Sequence, residues 1–354
     1  MAHDRTEINH EVSGPGQPSF FVGLDLAWHG EGRHSGLAAL VHQGSSLSLA
    51  SDPTGARSDD EILAFIGKHS RGPTVVAIDA PLIITNASGQ RPCETRISER
   101  FGRNHASAHT SNLTRFPDSA GVRLARELQS KGFSHPSESL ATNDPAARLV
   151  VEVYPHPAQI RLFDLERILK YKKGRVASRR AALDDYRTRL KASLDEDGFS
   201  DTEGSITFFA KPIEELRGRH LKEYEDLLDA LFCALLAFRL WAFGWSRNEI
   251  IGDLQTGYIV VPKSREEPAR TREDMLVGMT LRQAAGVIAV DPRFVKDMIR
   301  ILDSWGIAGG EKYLEILARR PKEWPPAPTL DEVMAAPDRE PGAERPQGKR
   351  RILR

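Results

Sequence analysis

Apolar residues in the first part of the chain come in short runs between polar turns, which is the signature of strands. Ser19-Phe-Phe-Val-Gly-Leu-Asp-Leu-Ala predicts a buried strand, and Gly36-Leu-Ala-Ala-Leu-Val and Leu47-Ser-Leu-Ala predict the next two. From Asp59 to His69 the apolar positions Ile62, Leu63, Phe65 and Ile66 adopt helical spacing. Ser58 would cap that helix, with Glu61 completing a capping box. Thr74-Val-Val-Ala-Ile-Asp-Ala-Pro is almost continuously apolar, as suits a strand covered on both faces, and Pro81 ends it. The stretch 84–146 is polar and predicts loops with one or two helices, one of them around Ala120 to Gln129. Arg148-Leu-Val-Val-Glu-Val-Tyr-Pro then predicts another strand, and 158–195 a heavily charged helical segment. A long apolar helix runs from Leu221 to about Phe243, and Gly257-Tyr-Ile-Val-Val-Pro predicts a closing strand.

This order is mixed α/β and not a plain repeat of βαβ units. It divides the chain into a disordered lead (1–18), a main domain (19–264, with 84–146 as an insertion), a helical appendage (265–320) and a Pro-rich, basic disordered tail (321–354). Within the appendage, residues 280–307 have the pattern of a helix-turn-helix pair, with Asp291 capping the second helix and Pro292 opening it. Arg293, Lys296 and Arg300 would share one face of that helix and meet a DNA groove; the plainer reading is a helical hairpin packed as a lid or dimer surface.

Composition narrows the function classes. Lys+Arg and Asp+Glu both number 49, so no global basic field draws in nucleic acid and any such contact must come from local patches. Cys93 and Cys233 are far apart and form no metal or redox motif, which fits a reducing compartment. The polar start Met1-Ala-His-Asp has no apolar signal region, and no run of 18 apolar residues is seen. The expectation is a cytoplasmic protein with no membrane span. The oligomeric state is left open, a dimer included.

The chemistry lies in acids placed on apolar elements. Asp226 and Asp229 share one face of the long apolar helix, and a buried carboxylate there needs a compensating cation or donor set. Asp25 interrupts the first strand, Asp79 ends the fourth, and Glu152 sits inside Val150-Val-Glu-Val-Tyr. A single strand-end acid is ordinary turn chemistry. Three acids on three apolar strands, together with a helical pair, are expected to converge at one end of the sheet, where they cannot all ionise without a cation. Hard oxygen donors select Mg²⁺ or Mn²⁺, and two divalent ions held this way are a device for in-line attack on a phosphodiester.

Gly23-Leu-Asp25-Leu-Ala, Ala77-Ile-Asp79-Ala-Pro-Leu, Glu152-Val-Tyr-Pro-His and Asp226-Leu-Leu-Asp229-Ala-Leu together resemble an uncharacterised family of predicted nucleases, domain-of-unknown-function family four-two-nine. Their order is also similar to that of the Holliday-junction resolvases. The resemblance covers about residues 19–262 and implies an RNase H-like α/β fold, with a mixed five-stranded sheet and helices on both faces. It further implies two divalent ions held by Asp25, Asp79, Asp226 and Asp229, with Asp25 bridging, and a nucleic acid substrate, DNA or RNA. Asp79 stands where the resolvases usually carry Glu, and its shorter reach leaves the second ion in question.

His156, directly after Glu152-Val-Tyr-Pro, is a candidate base or product-release switch, against a plain strand-end histidine. Glu152 is a candidate for positioning water. Arg96, Arg100 and Arg103 would share a helix face and contact phosphate, against a solvated charged face. His105 and His109 would bind zinc only if their segment were helical. Tyr171-Lys-Lys-Gly-Arg reads as part of a solvated charged helix. Two other classes stay in view. One is an actin-like-superfold sugar kinase or ATPase using the glycines of Gly30-Glu-Gly-Arg-His-Ser-Gly. The other is a non-catalytic nucleic-acid-binding module.

Overall fold

A computed structural model describes residues 17–27, 34–137 and 139–264. Two compact units divide the chain at Arg265, and the described residues belong to the first. The lead 1–16, the helix-turn-helix segment with Arg293, Lys296 and Arg300, and the Pro-rich tail lie outside the described residues.

The expected strands form one mixed sheet of five. They are β1 (Ser19–Asp25), β2 (Ser35–Gln43), β3 (Ser46–Ala56), β4 (Thr74–Ile78) and β5 (Arg148–Glu152), in the order β3-β2-β1-β4-β5. β1, β2 and β3 are joined antiparallel as a meander, and β4 and β5 add in parallel to β1. Parallel addition requires a crossover. α1 (Asp59–Lys68) lies in the β3-to-β4 connection. Its cap is close to expectation: the Ser58 hydroxyl accepts from the Glu61 N–H at 3.2 Å, while the Glu61 carboxylate takes the Arg57 N–H at 2.6 Å. The insertion holds α2 (Pro92–Phe101), a 3₁₀ turn (Gly102–Asn104) and α3 (Ala120–Ser130).

The charged segment expected as one helix is two helices, α4 (Pro155–Leu162) and α5 (Val176–Glu196), separated by a loop. Gly174 in that loop has φ 114°, which interrupts helical geometry. α6 (Glu203–Phe209) follows, then the long apolar helix α7 (Gly218–Arg247), whose backbone leaves helical geometry at Gly244. The closing strand β7 (Gly257–Pro262) does not extend the main sheet as a sixth member. It pairs with β6 (Asn248–Asp253) in a separate hairpin, which touches β5 through a Val153–Val260 bridge.

α7 lies across one face of the sheet, and Leu228, Leu231, Phe232 and Leu235 are fully buried with Phe21, Val75, Ala77 and Val151. α1 and α3 cover the other face, with Val22, Leu24, Val76, Ile78 and Val150 beneath them. Each large apolar side chain buried here contributes about 1.5–3 kcal/mol. By length and composition α7 is apolar enough to cross a membrane, a property the sequence reading did not find. Most of the helix is buried inside the fold.

α7 comes unusually close to the sheet at two glycines. A Cβ on Gly23 would lie 2.0 Å from the Ala230 carbonyl oxygen, and one on Gly36 would lie 2.1 Å from that of Asp226. The first half of α7 therefore seats its backbone directly on β1 and β2.

Candidate active site

Side chains alternate across a strand, so parity decides which acids can meet. Asp25 shares its parity with Gly23 and Phe21, and Asp79 with Ala77 and Val75; Phe21, Val75 and Ala77 pack in the α7 layer. β1 and β4 are parallel neighbours in register Leu24 to Ile78, and the Asp79 N–H donates to the Leu24 carbonyl at 2.9 Å. The two acids thus leave adjacent strands at the same end and on the same face. Asp226 and Asp229 descend from α7 onto that end, both buried, Asp229 completely. The Asp25 and Asp226 carboxylates are close enough to share a hydrogen bond. All four expected acids are therefore brought together.

Burial and the neighbouring charge of Asp25 hold Asp79 well above the usual carboxylate range. The same two causes raise Asp226 to about 8. In neutral solution Asp226 is then substantially protonated, which is how a crowded acid cluster without a metal lowers its own repulsion.

Two ammonium groups stand among these acids, and the sequence reading placed neither there. Lys172 Nζ is 2.8 Å from Asp229 Oδ2, and its charge also acts on Asp25 and Asp79. These acids push the Lys172 pKa well above its ordinary value, so it stays charged. The adjacent Tyr171 donates from Oη to the other Asp229 oxygen at 2.8 Å and accepts from Gln159 Nε2 at 3.2 Å. Lys222, one helical turn before Asp226, pairs with it. Among the described residues no group of three or more His, Cys, Asp or Glu is arranged to hold a metal ion.

Glu152 does not join the cluster as a water-positioning group. It shares the parity of Val150, which packs in the layer under α1 and α3. Its two oxygens receive Arg91 Nη2 at 2.6 Å and Nη1 at 2.9 Å, and Oε2 also takes the Leu82 N–H at 2.9 Å. Arg91 is 1% exposed and also donates to Glu94 at 2.8 Å. This buried triad ties the insertion to the end of β5. A small cleft beside it is lined by Asp79, Arg91, His109, Glu152 and Tyr154.

His156 opens α4 beside Tyr154 and Tyr171. Burial, then the charge of Lys172, lowers its pKa to about 4. It is neutral at physiological pH, so it does not titrate in the range that the product-release switch considered for it would need. Arg96 and Arg100 lie on α2 as expected, but Arg103 lies in the following 3₁₀ turn. Arg100 is held by Glu249 through two hydrogen bonds of 2.7 and 2.9 Å, so it is not a ready phosphate ligand. Arg96 and Arg103 are exposed. His105 has φ 66° and the segment after it is not helical, so the condition for zinc binding by His105 and His109 is not met. Of the glycine-rich segment considered for nucleotide binding, residues 30–33 lie outside the described residues.

The family model described as "Protein of unknown function (DUF429)" matches residues 23–245, and the chain belongs to that family. The match spans all four acids and the Tyr171-Lys172 pair. Comparison with curated proteins and with solved structures gave no match.

Proposed function

We propose that this protein is a metal-dependent phosphodiester hydrolase acting on nucleic acid, built on an RNase H-like core. The observation that carries this reading is the convergence of Asp25 and Asp79, from adjacent parallel strands, with Asp226 and Asp229 from α7. The mixed sheet in the order β3-β2-β1-β4-β5, with acids on the first strand, after the fourth and on the helix packed over them, supports the RNase H-like assignment.

The donor set suits a hard divalent cation. It offers carboxylate oxygens in a buried setting, where burial and the charge of Asp25 drive Asp79 and Asp226 toward protonation. Asp25, Asp79 and Asp226 would hold Mg²⁺ or Mn²⁺. Such an ion, when bound, polarises a phosphoryl oxygen and lowers the pKa of a bound water. Asp25 is the central ligand in this reading, because its charge acts on Asp79, Asp226, Lys172 and Lys222 alike. Glu152 and Arg91, locked to each other, line the neighbouring cleft together with Asp79.

The test is hydrolysis of end-labelled single- and double-stranded DNA and RNA by the purified full chain with Mn²⁺ or Mg²⁺. Asp25→Asn is expected to reduce the rate by more than about 100-fold, as loss of a direct metal ligand should exceed loss of a supporting group. Cleavage that persists unchanged in Asp25→Asn, or in EDTA, would sink the proposal.

A further inference from the structure

Taking the metal-dependent hydrolase reading as its basis, we infer that Lys172 occupies the second cation position of this centre, which therefore takes one divalent ion and not two. Asp229 is fully buried; Tyr171 Oη donates to Oδ1 at 2.8 Å, and the Lys172 ammonium stands against Oδ2 as an ion pair at 2.8 Å. A second metal on Oδ2 would meet the Lys172 ammonium already placed there.

Tyr171 makes this arrangement rigid. Its ring is fully buried and stacks on Tyr186 at 4.9 Å, while its carbonyl takes Arg179 Nε at 3.0 Å. The loop between α4 and α5 is pinned one residue before Lys172, so the lysine is delivered to a fixed place. The Lys172 side chain is 32% exposed although its partner is fully buried. Part of the lysine therefore stays open to solvent beside a fully buried acid.

The charges agree. Asp25, Asp79, Asp226 and Asp229 would carry four negative charges when ionised, and Lys172 and Lys222 supply two positive ones. The remaining two match one divalent ion. A second ion would leave the cluster net positive and would have to displace Lys172 from Asp229. During hydrolysis the water oxygen bonds to phosphorus as the phosphorus–ester oxygen bond breaks. The electron pair leaves on the ester oxygen, which takes up one proton while the water gives up one. The Lys172 ammonium is the fixed charge that stabilises the negative charge developing on phosphate oxygens in that step, where a two-ion centre would use a metal.

Calorimetric titration of Mn²⁺ into the full chain tests this without any substrate. One ion per chain is expected for the wild type and two for Lys172→Met, which vacates Asp229 Oδ2. At two equivalents of Mn²⁺, low-temperature electron paramagnetic resonance should show uncoupled ions in the wild type and a spin-coupled pair in the variant. Circular dichroism checks that the variant is folded, with Lys172→Gln as the replacement if Met is not tolerated. Two ions in the wild type would overturn the inference while leaving the hydrolase reading intact, and so would a folded variant that still binds one. No binding by either protein would overturn the metal-dependent reading itself, and this inference with it.

Discussion

Replacing Arg91 by Met should cost far more stability than any exposed arginine, because of what it leaves behind. Arg91 gives two hydrogen bonds to Glu152 and one to Glu94, and both carboxylates are buried, at 3% and 1% exposure. Met fills most of the volume but supplies no charge. Glu152 then keeps only the Leu82 N–H, and Glu94 the N–H groups of residue 91 and Ser111. Removing one partner of a buried ion pair costs about 3–5 kcal/mol. Against a whole-domain stability of about 5–15 kcal/mol that is a large share. With a urea dependence of about 3 kcal/mol per molar, the unfolding midpoint should fall by roughly 1–1.7 M. Urea titration followed by circular dichroism measures this directly. The double variant Arg91→Met/Glu152→Met should recover part of the loss, since paired apolar groups tolerate burial where a lone carboxylate does not. A midpoint shift under about 0.3 M, less than 1 kcal/mol, would refute this account of the triad.

Two further outcomes are expected. Gly23→Ala should lower stability by at least about 1–3 kcal/mol in thermal or urea melts, because its Cβ would meet backbone atoms of Ala230 and Ala234 near 2 Å that have no rotamer to retreat into; a neutral result would mean α7 shifts freely on the sheet. Asp226, raised to about 8, binds its proton more tightly in the folded metal-free protein than in the unfolded chain, so its contribution to stability is complete below the unfolded pKa of about 4 and is lost as pH rises through about 8. The stability difference between wild type and Asp226→Asn, followed from pH 4 to 9 in EDTA, should therefore move against the wild type as pH rises; a flat difference would contradict the shift.

The strands and α1 were legible because their apolar runs and caps are local signals. The four metal-binding candidates were legible for the same reason: Asp25, Asp79, Asp226 and Asp229 each interrupt an apolar element. The alternation within Val150-Val-Glu-Val also held the information that sends Glu152 to the other side of the sheet, once Val150 is known to pack under α3. Lys222 was readable too, four residues before Asp226 on one helix. Lys172 was not. Its partner Asp229 lies far along the chain, and no local spacing separates a lysine that reaches a buried acid from one that meets water. The break between α4 and α5 hid in a charged segment whose only marker was Gly174. β6 was missed because Ile250 and Ile251 continue the apolar character of α7 with little to announce a change of direction.

The two glycine seats under α7 have a consequence for how the site keeps its dimensions. Side-chain packing yields by fractions of an ångström when a neighbour changes, but a helix resting backbone to backbone on two strands has met a hard stop. Asp226 belongs to the stretch of helix resting there, and Asp25 extends from the strand beneath. The height of one acid above the other is thus set by bare main chain, like the jaws of a caliper closed on a fixed block. Substitutions elsewhere on α7 can retune the charge or solubility of the protein without changing that gap. Whatever the two acids hold between them has to fit the spacing that the main chain sets.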